Sequence, residues 1–460
     1  MKYEEFLQSK MISTESVGFE PQAMNPMLFP FQRDLTGWAI RKGKAALFTM
    51  TGTGKTLMQV EWAKQVHLHT GGDVLILAPL AVSCQTVKEA SKIGVTVHSV
   101  GDQSDVRNGI NITNYEKMHR LDLENFAGIV LDESSILKSY DGKTRTQIIQ
   151  SFRHTPYRLA CTATPAPNDF MELGNHAEFL GIMSRQEMLS MFFVHDGGET
   201  SKWRLKGHAE SKFWSWVASW GAVLSSPSDL GYDDGGFDLP ELIIHEHVIK
   251  MGKPLSGHLF AVSSQTLQER RSARRESLEE RVAKCAELVN GSEGPFLVWC
   301  DLNAESEALT KTIDGAVQVK GSDSNDHKEK MMTGFSDGQH RVLVTKPSIA
   351  GWGLNWQHCR QMAFVGLSDS FEQYFQAVRR CWRFGQDMPV NVHLIVSDLE
   401  GAVRENLIRK ENAAQKMLDE MVQYTKEVTK KNIRKTQREF TGYDPQVKMK
   451  LPGWLGGVAC

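Results

Sequence analysis

The chain has no apolar run approaching the ~18 residues that a membrane-crossing helix needs. Its start, Met1 to Lys10, is polar, with two Lys against two Glu, and lacks the apolar core of a secretory leader. A membrane partner is therefore not expected, and the cytoplasm is the expected compartment. Cysteine is sparse: Cys84, Cys161, Cys285, Cys300, Cys359, Cys381 and Cys460 are odd in number and form no C-x-x-C pair. That excludes a disulfide framework and a zinc cage. His67/His69 and His245/His247 have H-x-H spacing, but no third ligand lies near either pair in sequence, so they read as exposed histidines. Charge of one sign is also missing. With 53 Lys and Arg against 55 Asp and Glu, the net charge of -2 excludes a globally basic nucleic-acid binder and leaves only local basic surfaces.

What remains is an ordinary α/β composition, 41% hydrophobic and 23% charged, in a chain of 460 residues that is too long for one core. At least two domains are expected. The stretch around which they are organised is Ala45 to Thr56, an apolar run ending in Gly52-Thr53-Gly54-Lys55-Thr56. The run reads as a buried parallel strand. The glycines let successive N–H groups and the next helix's N-terminus face one point, and such a point holds phosphate. Lys55 would face the β and γ phosphates and the Thr56 hydroxyl would ligate Mg²⁺. Thr49 stands where the first Gly of G-x-x-x-x-G-K-[ST] falls, so the pattern is incomplete. Upstream, Gln32 in Leu28-Phe29-Pro30-Phe31-Gln32-Arg33 carries a carboxamide able to donate to and accept from one adenine edge.

Strand-like runs at 74–78, 95–100, 110–113, 128–132 and 158–162 alternate with helical segments, as in a parallel sheet covered on both faces. Ligands belong at the carboxyl ends of such strands. There the run Gly128-Ile129-Val130-Leu131 delivers Asp132-Glu133: one carboxylate to hold Mg²⁺, the other to orient and deprotonate a water. A second series of strand-like runs, at 242–249, 296–300, 317–320, 342–345, 362–365 and 390–396, has no phosphate loop of its own. It carries Gln376, Arg380 and Arg383 at spacings of four and three, which on a helix share one face. From that face a guanidinium could reach a γ phosphate across a cleft.

Together these stretches resemble superfamily-two helicases and translocases, the DEAD/DEAH-box relatives, in their Swi/Snf-type form. Asp132-Glu133-Ser134-Ser135 is similar to motif II, Leu77-Ala78-Pro79-Leu80 to motif Ia, and Ile112-Thr113-Asn114-Tyr115-Glu116 to motif Ib. Cys161-Thr162-Ala163-Thr164-Pro165-Ala166-Pro167-Asn168 resembles motif III, Phe296 to Cys300 motif IV, Ala350 to Trp356 motif V and Gln373 to Gln386 motif VI. Ser135 replaces the usual His or Asp of motif II, so the resemblance passes the link from the carboxylates to motif III through a hydroxyl. Arg379 stands where relatives carry Asp or Gly and adds charge at the cleft. The compact phage-encoded members look most similar, which would place the protein in a bacterial host's cytoplasm.

The resemblance implies an α/β fold of two tandem RecA-like parallel-sheet domains that bind ATP and Mg²⁺ between them. Lys55, Glu133, Arg380 and Arg383 would be catalytic. Gln32, Gly52, Thr53, Gly54, Lys55, Thr56, Gly353 and Gln376 would hold the nucleotide, and Thr56 and Asp132 the metal. The implied activity is that of a DNA-dependent ATPase moving along DNA, with duplex favoured and backbone contacts that ignore sequence. Replication or recombination proteins are further partner classes. A DNA clamp with negligible turnover and an RNA helicase are the alternatives.

The expected divisions are an extension (1–23), a first RecA-like domain (24–181), an aromatic-rich helical insertion and linker (182–239), a second RecA-like domain (240–400) and a basic helical tail (401–460). In the insertion, Phe192, Phe193, Trp203, Phe213, Trp214, Trp216 and Trp220 interleave with Lys202, Arg204, Lys206 and Lys212. They read either as a small helical core or as a base-stacking surface. In the tail, ten Lys or Arg face five acidic residues between Arg404 and Arg438, as in a solvated helix or an arm that tracks phosphates. The same choice applies to Gln265 to Val289, with Arg270, Arg271, Arg274 and Arg275.

Overall fold

A computed structural model of the chain describes residues 16–79, 82–138, 142–166, 169–195, 203–250, 275–350, 355–366, 370–398 and 401–433. The first lobe is built on seven parallel strands in the order β3-β4-β2-β5-β6-β1-β9. They are β1 (Lys44–Thr49), β2 (Val74–Ala78), β3 (Val97–Ser99), β4 (Ile110–Asn114), β5 (Gly128–Asp132), β6 (Tyr157–Thr162) and β9 (Gly221–Leu224). Strands β7 (Phe193–His195) and β8 (Trp203–Leu205) pair separately as an antiparallel ribbon. Because helices cover both faces of the main sheet, its central strands are uninterrupted apolar runs; β2 and β5 are buried at every position. Helix α1 (Pro30–Lys42) starts with proline at its first turn and stops at Gly43, φ +73°. Helix α2 (Lys55–Thr70) leaves the glycine loop directly and ends at Gly71 in the left-handed conformation.

The second lobe has six parallel strands in the order β10-β15-β14-β11-β13-β12. These are β10 (Leu242–Ile249), β11 (Phe296–Cys300), β12 (Ala316–Gln318), β13 (Val342–Thr345), β14 (Gln361–Val365) and β15 (Val390–Ser397). The architecture is thus two tandem parallel-sheet α/β domains of the RecA-like kind. No helix among the described residues is long and apolar enough to cross a membrane.

Two expected segments take different roles. Residues 182–239 do not stand apart as an insertion and linker. They supply β9, which pairs in register with β1 from Ala46 against Gly221 to Thr49 against Leu224, so the first lobe extends past residue 181. Helix α3 (Glu210–Trp220) packs Trp214, Trp216 and Trp220 into the core of that lobe, each at most 2% exposed. Burial of an indole this complete is worth about 2 kcal/mol or more, which leaves no ring face for bases and decides for packing.

The tail is not a solvated helix over its length. Helix α5 (Gly401–Ile433), so numbered because helix α4 (Phe371–Val378) precedes it, lays Met421 and Val422 into the first lobe's core, flanked by Met417 and Leu418. The Tyr424 ring stacks on Trp214, with centroids 5.6 Å apart and planes 2° apart. A helix that leaves the second lobe therefore closes a hydrophobic face of the first, while Arg409 and Lys416 stay exposed and Lys410, Lys426 and Lys430 are half-buried. Arg270, Arg271 and Arg274, and the tail beyond Ile433, lie outside the described residues.

Met421 is 1% exposed while Gln423 is exposed. Met421→Ala should cost about 2–5 kcal/mol in urea unfolding followed by tryptophan fluorescence, and Gln423→Ala less than about 0.5 kcal/mol. Equal effects would detach α5 from the first lobe.

Candidate functional site

The phosphate loop, at the carboxyl end of β1, is held from three sides. Gly52 and Gly54 have φ of +92° and +82°, a region that suits glycine. A Cβ on Gly54 would lie 2.2 Å from Gln32 Nε2, and one on Gly52 would lie 3.0 Å from the Phe384 backbone nitrogen of the second lobe. Thr49, the departure from the glycine pattern, shares a 2.8 Å hydroxyl hydrogen bond with Thr53, and Thr53 also donates to the Met50 carbonyl at 2.8 Å. The non-glycine residue thus ties the strand end to the loop it precedes.

Lys55 is buried and donates to the Thr49 and Met50 carbonyls at 2.7 and 3.0 Å. Burial lowers its pKa, opposed by the charges of Glu133 and Asp132. No side chain caps α2, so its first turn, with the half-buried Thr56, is left to meet an anion. Gln32 is buried and engaged within the protein. Its Nε2 donates to the Thr53 carbonyl at 2.8 Å, and its Oε1 accepts from the Phe29 N–H at 2.9 Å. In this state Gln32 latches the loop, and it must release both bonds before it can read a base edge. Around it Phe29, Phe237 and Phe384 form an aromatic cluster spanning both lobes, with Phe237 and Phe384 centroids 4.5 Å apart.

The carboxylates follow β5. Asp132 Oδ1 accepts from Gln59 Nε2 at 2.8 Å and from the Glu133 N–H at 3.1 Å, which leaves Oδ2 for a metal. Among the described residues, Glu133 alone has a positive φ without being glycine, at +54°. That conformation costs roughly 1–2 kcal/mol and marks a strained position. It is held by the buried Tyr115 hydroxyl, which donates to the Asp132 carbonyl at 2.6 Å. Burial, with Asp132 beside it, pushes the Glu133 carboxyl up to about 7 against the pull of Lys55. A carboxyl in that range is suited to taking a proton from water near neutral pH.

The link from motif II to motif III does pass through a hydroxyl, but it belongs to Thr162, whose Oγ1 lies 3.5 Å from Glu133 Oε2. Ser135 is simply buried. Neighbouring Ser134 meets His176 Nε2 at 3.1 Å, and burial holds that imidazole neutral, down to about 4.

From the second lobe, Arg380 and Arg383 are brought to the same place, though not on a helical face. Helix α4 stops at Val378, and both arginines lie in the turns beyond it. Arg380 is fixed by Nε to the Gln376 carbonyl at 2.9 Å and by Nη2 to Gln376 Oε1 at 3.0 Å. Burial lowers the pKa of both guanidinium groups, Arg380 to about 10, while the field of Glu133 acts on both in the opposite sense. The buried Gln376 Nε2 has no hydrogen-bond partner. Arg379 turns elsewhere: the charge that acts on it is that of Glu411, unpaired with it, rather than that of the carboxylates. Lys138 and Glu372 add an ion pair across the lobes. Gly353, with Gly351, Trp352 and Leu354 of motif V, lies outside the described residues.

Residues 22–167 match the family described as "Type III restriction enzyme, res subunit", and residues 280–385 match the "Helicase conserved C-terminal domain". The tandem match supports a superfamily-two helicase core. Human ATP-dependent DNA helicase Q4 is 30% identical over 128 residues, which are 24% of this chain and 10% of that protein. The chain therefore spans a small part of this relative's length. The Sulfolobus solfataricus SWI2/SNF2 ATPase core, solved in complex with dsDNA, is 17% identical. It matches with a TM-score of 0.42 over 91% of this chain and 98% of that one.

Sequence reasoning missed Gln59 and His176 as parts of the site and read Tyr115 and Thr162 only as members of motif-like stretches. Each is an uncharged buried side chain, and His176 alone had no signal, since Gln59 lies one helical turn beyond Lys55. His393 was missed as a neighbour of the H-x-H pair on β10: its Nδ1 lies 3.0 Å from His247 Nε2, and its ring stacks on His245. The three rings bond and stack with one another, and no group of His, Cys, Asp and Glu among the described residues is arranged to hold a metal.

With Oδ1 of Asp132 engaged, Oδ2 and the half-exposed Thr56 are the oxygen donors that would hold a Mg²⁺ here. Gln59→Leu frees Asp132 Oδ1 and should weaken the Mg²⁺ dependence of nucleotide binding about 10- to 100-fold, measured by titration of the metal at fixed nucleotide. An unchanged metal midpoint would remove Gln59 from the site.

Proposed function

We propose that the chain is a DNA-dependent ATPase of the Swi/Snf-type group that hydrolyses ATP between its lobes and steps along duplex DNA. One observation supports this reading: Lys55, Asp132 and Glu133 of one lobe and Arg380 of the other are buried, and Lys138, just beyond the carboxylates, pairs across the lobes with Glu372 on α4, the helix that leads to Arg380 and Arg383. In it the α2 N-terminus and Lys55 bind the phosphates, and Glu133 aligns a water and takes its proton. Arg380 and Arg383 meet the charge that develops on the transferred phosphoryl group. A bound Mg²⁺ would add charge neutralisation at the β and γ oxygens. Gln32 exchanges its bonds to Thr53 and Phe29 for an adenine edge, which couples nucleotide entry to opening of the loop. DNA is held through its phosphates on the face bearing motifs Ia, Ib, IV and V, so affinity falls steeply with salt. The basic remainder of α5 and the tail is available to add to it.

Glu133→Gln should keep nucleotide affinity and lose turnover, since the metal ligand remains and the base goes. Near-parental hydrolysis by that variant would disprove the assignment of the base.

Duplex DNA should stimulate hydrolysis more than RNA does in side-by-side assays. In the same assay Arg383→Ala should retain ATP and DNA binding and lose about 10³ to 10⁵ of the stimulated rate. Arg383→Lys should rescue little, because a point charge does not replace the planar fork. Stimulation by RNA alone would move the protein to the RNA-helicase alternative, and binding without turnover to the clamp.

A further inference from the structure

On the β9 side of the phosphate loop, two cavities of about 190 and 220 Å³ open between the lobes and α5. They adjoin, sharing Met50, Arg379, Gln415 and Leu418 in their walls. Neither is lined by Lys55, the carboxylates, Arg380 or Arg383, but the larger takes Gly52 and Thr53 of the loop and Phe384 into its wall, so this space backs directly onto the site above.

Its singular feature is Arg379. The side chain is 8% exposed and its guanidinium lies over the rings of Trp382 and Phe375, 4.2 and 5.1 Å from their centroids. It makes no hydrogen bond or ion pair with any described residue, and its Nε is buried without a partner. Glu411, in the wall of the smaller cavity, is close enough to act on it electrostatically but not to pair. Burying a guanidinium is costly unless its donors are met, and ring stacking meets none of them.

Three more donors wait in the same walls. The hydroxyls of Thr51 and Ser225 in the larger cavity, and of Thr164 in the smaller, are buried and unpartnered. Four donor groups without partners, one of them on a buried guanidinium, line these adjoining cavities, and such donors suit a small oxyanion, which a guanidinium grips through two parallel bonds.

We propose that Arg379, with the hydroxyls of Thr51, Thr164 and Ser225, forms a second oxyanion site behind the phosphate loop, and that it takes inorganic phosphate. The identity of the anion rests on the hydrolysis proposed above, which would release one phosphate per turnover on the other side of Thr51 and Gly52. The existence of the site does not rest on it.

The test is a titration of the full chain with inorganic phosphate, followed by calorimetry, with the loop filled by Mg-ADP-beryllium fluoride. The parent should bind one phosphate. Arg379→Met keeps a stem to cover the rings and should weaken it at least tenfold, about 1.4 kcal/mol. Ser225→Ala, outside every motif, should weaken it about threefold and decides the matter if Arg379→Met does not fold. The same titration on Lys55→Ala without nucleotide reads the site even if the chain proves not to hydrolyse ATP. No saturable phosphate in the parent, or equal affinity in the parent and the Arg379 and Ser225 variants, overturns the proposal.

Discussion

Two adjacent carboxylates are buried at the end of β5, and the surrounding structure keeps that charge tolerable and aimed. Asp132 and Glu133 would repel each other and resist burial if left alone. Gln59 and the Glu133 N–H fix one oxygen of Asp132, Tyr115 fixes its carbonyl, and the backbone at Glu133 takes the left-handed conformation. Positive charge comes from three residues that also suffer from burial: Lys55 below, and Arg380 and Arg383 from the other lobe. Neither set is comfortable without the other, so closing the lobes relieves both. That mutual dependence links a chemical requirement to a mechanical one.

The lobes are also joined by contacts with no chemical part. Glu372 on α4 pairs with Lys138 just beyond motif II, Phe384 packs against Gly52, and α5 returns from the second lobe to bury Met421 and Val422 in the first. Tyr424 stacked on Trp214 fixes where that return lands. This hydrophobic seam lies beside the space around Arg379, with Met417, Leu418 and Met421 in its wall. An anion there would press on the loop, α4 and α5 at once.

Most of the fold could be read from the chain because parallel strands buried on both faces are continuous apolar runs, visible without any knowledge of their neighbours. The strands of both sheets fall where those runs lie, apart from β9, whose four residues, Gly-Ala-Val-Leu, look like the end of a tryptophan-rich helix. Lys55, Asp132 and Glu133 could be read because charged groups at the ends of apolar strands need a reason to be there. Arg380 and Arg383 were found by a spacing that assumed a helix. The helix ends before them, at Val378.

The sequence by itself determined the two sheets, the phosphate loop and the charged residues gathered at the cleft, since periodicity and charge are local properties. Tertiary structure alone decided which uncharged groups hold them. Gln59 to Asp132 spans 73 residues, Ser134 to His176 spans 42, and Tyr115 reaches a backbone carbonyl with no side-chain partner to betray it. It also decided that a basic tail becomes a brace and that Arg379, next to Arg380 in sequence, lies over the rings of Trp382 and Phe375 instead. A hydrogen bond between distant neutral groups leaves no periodic trace, and the direction a side chain takes past a helix end depends on what packs against it.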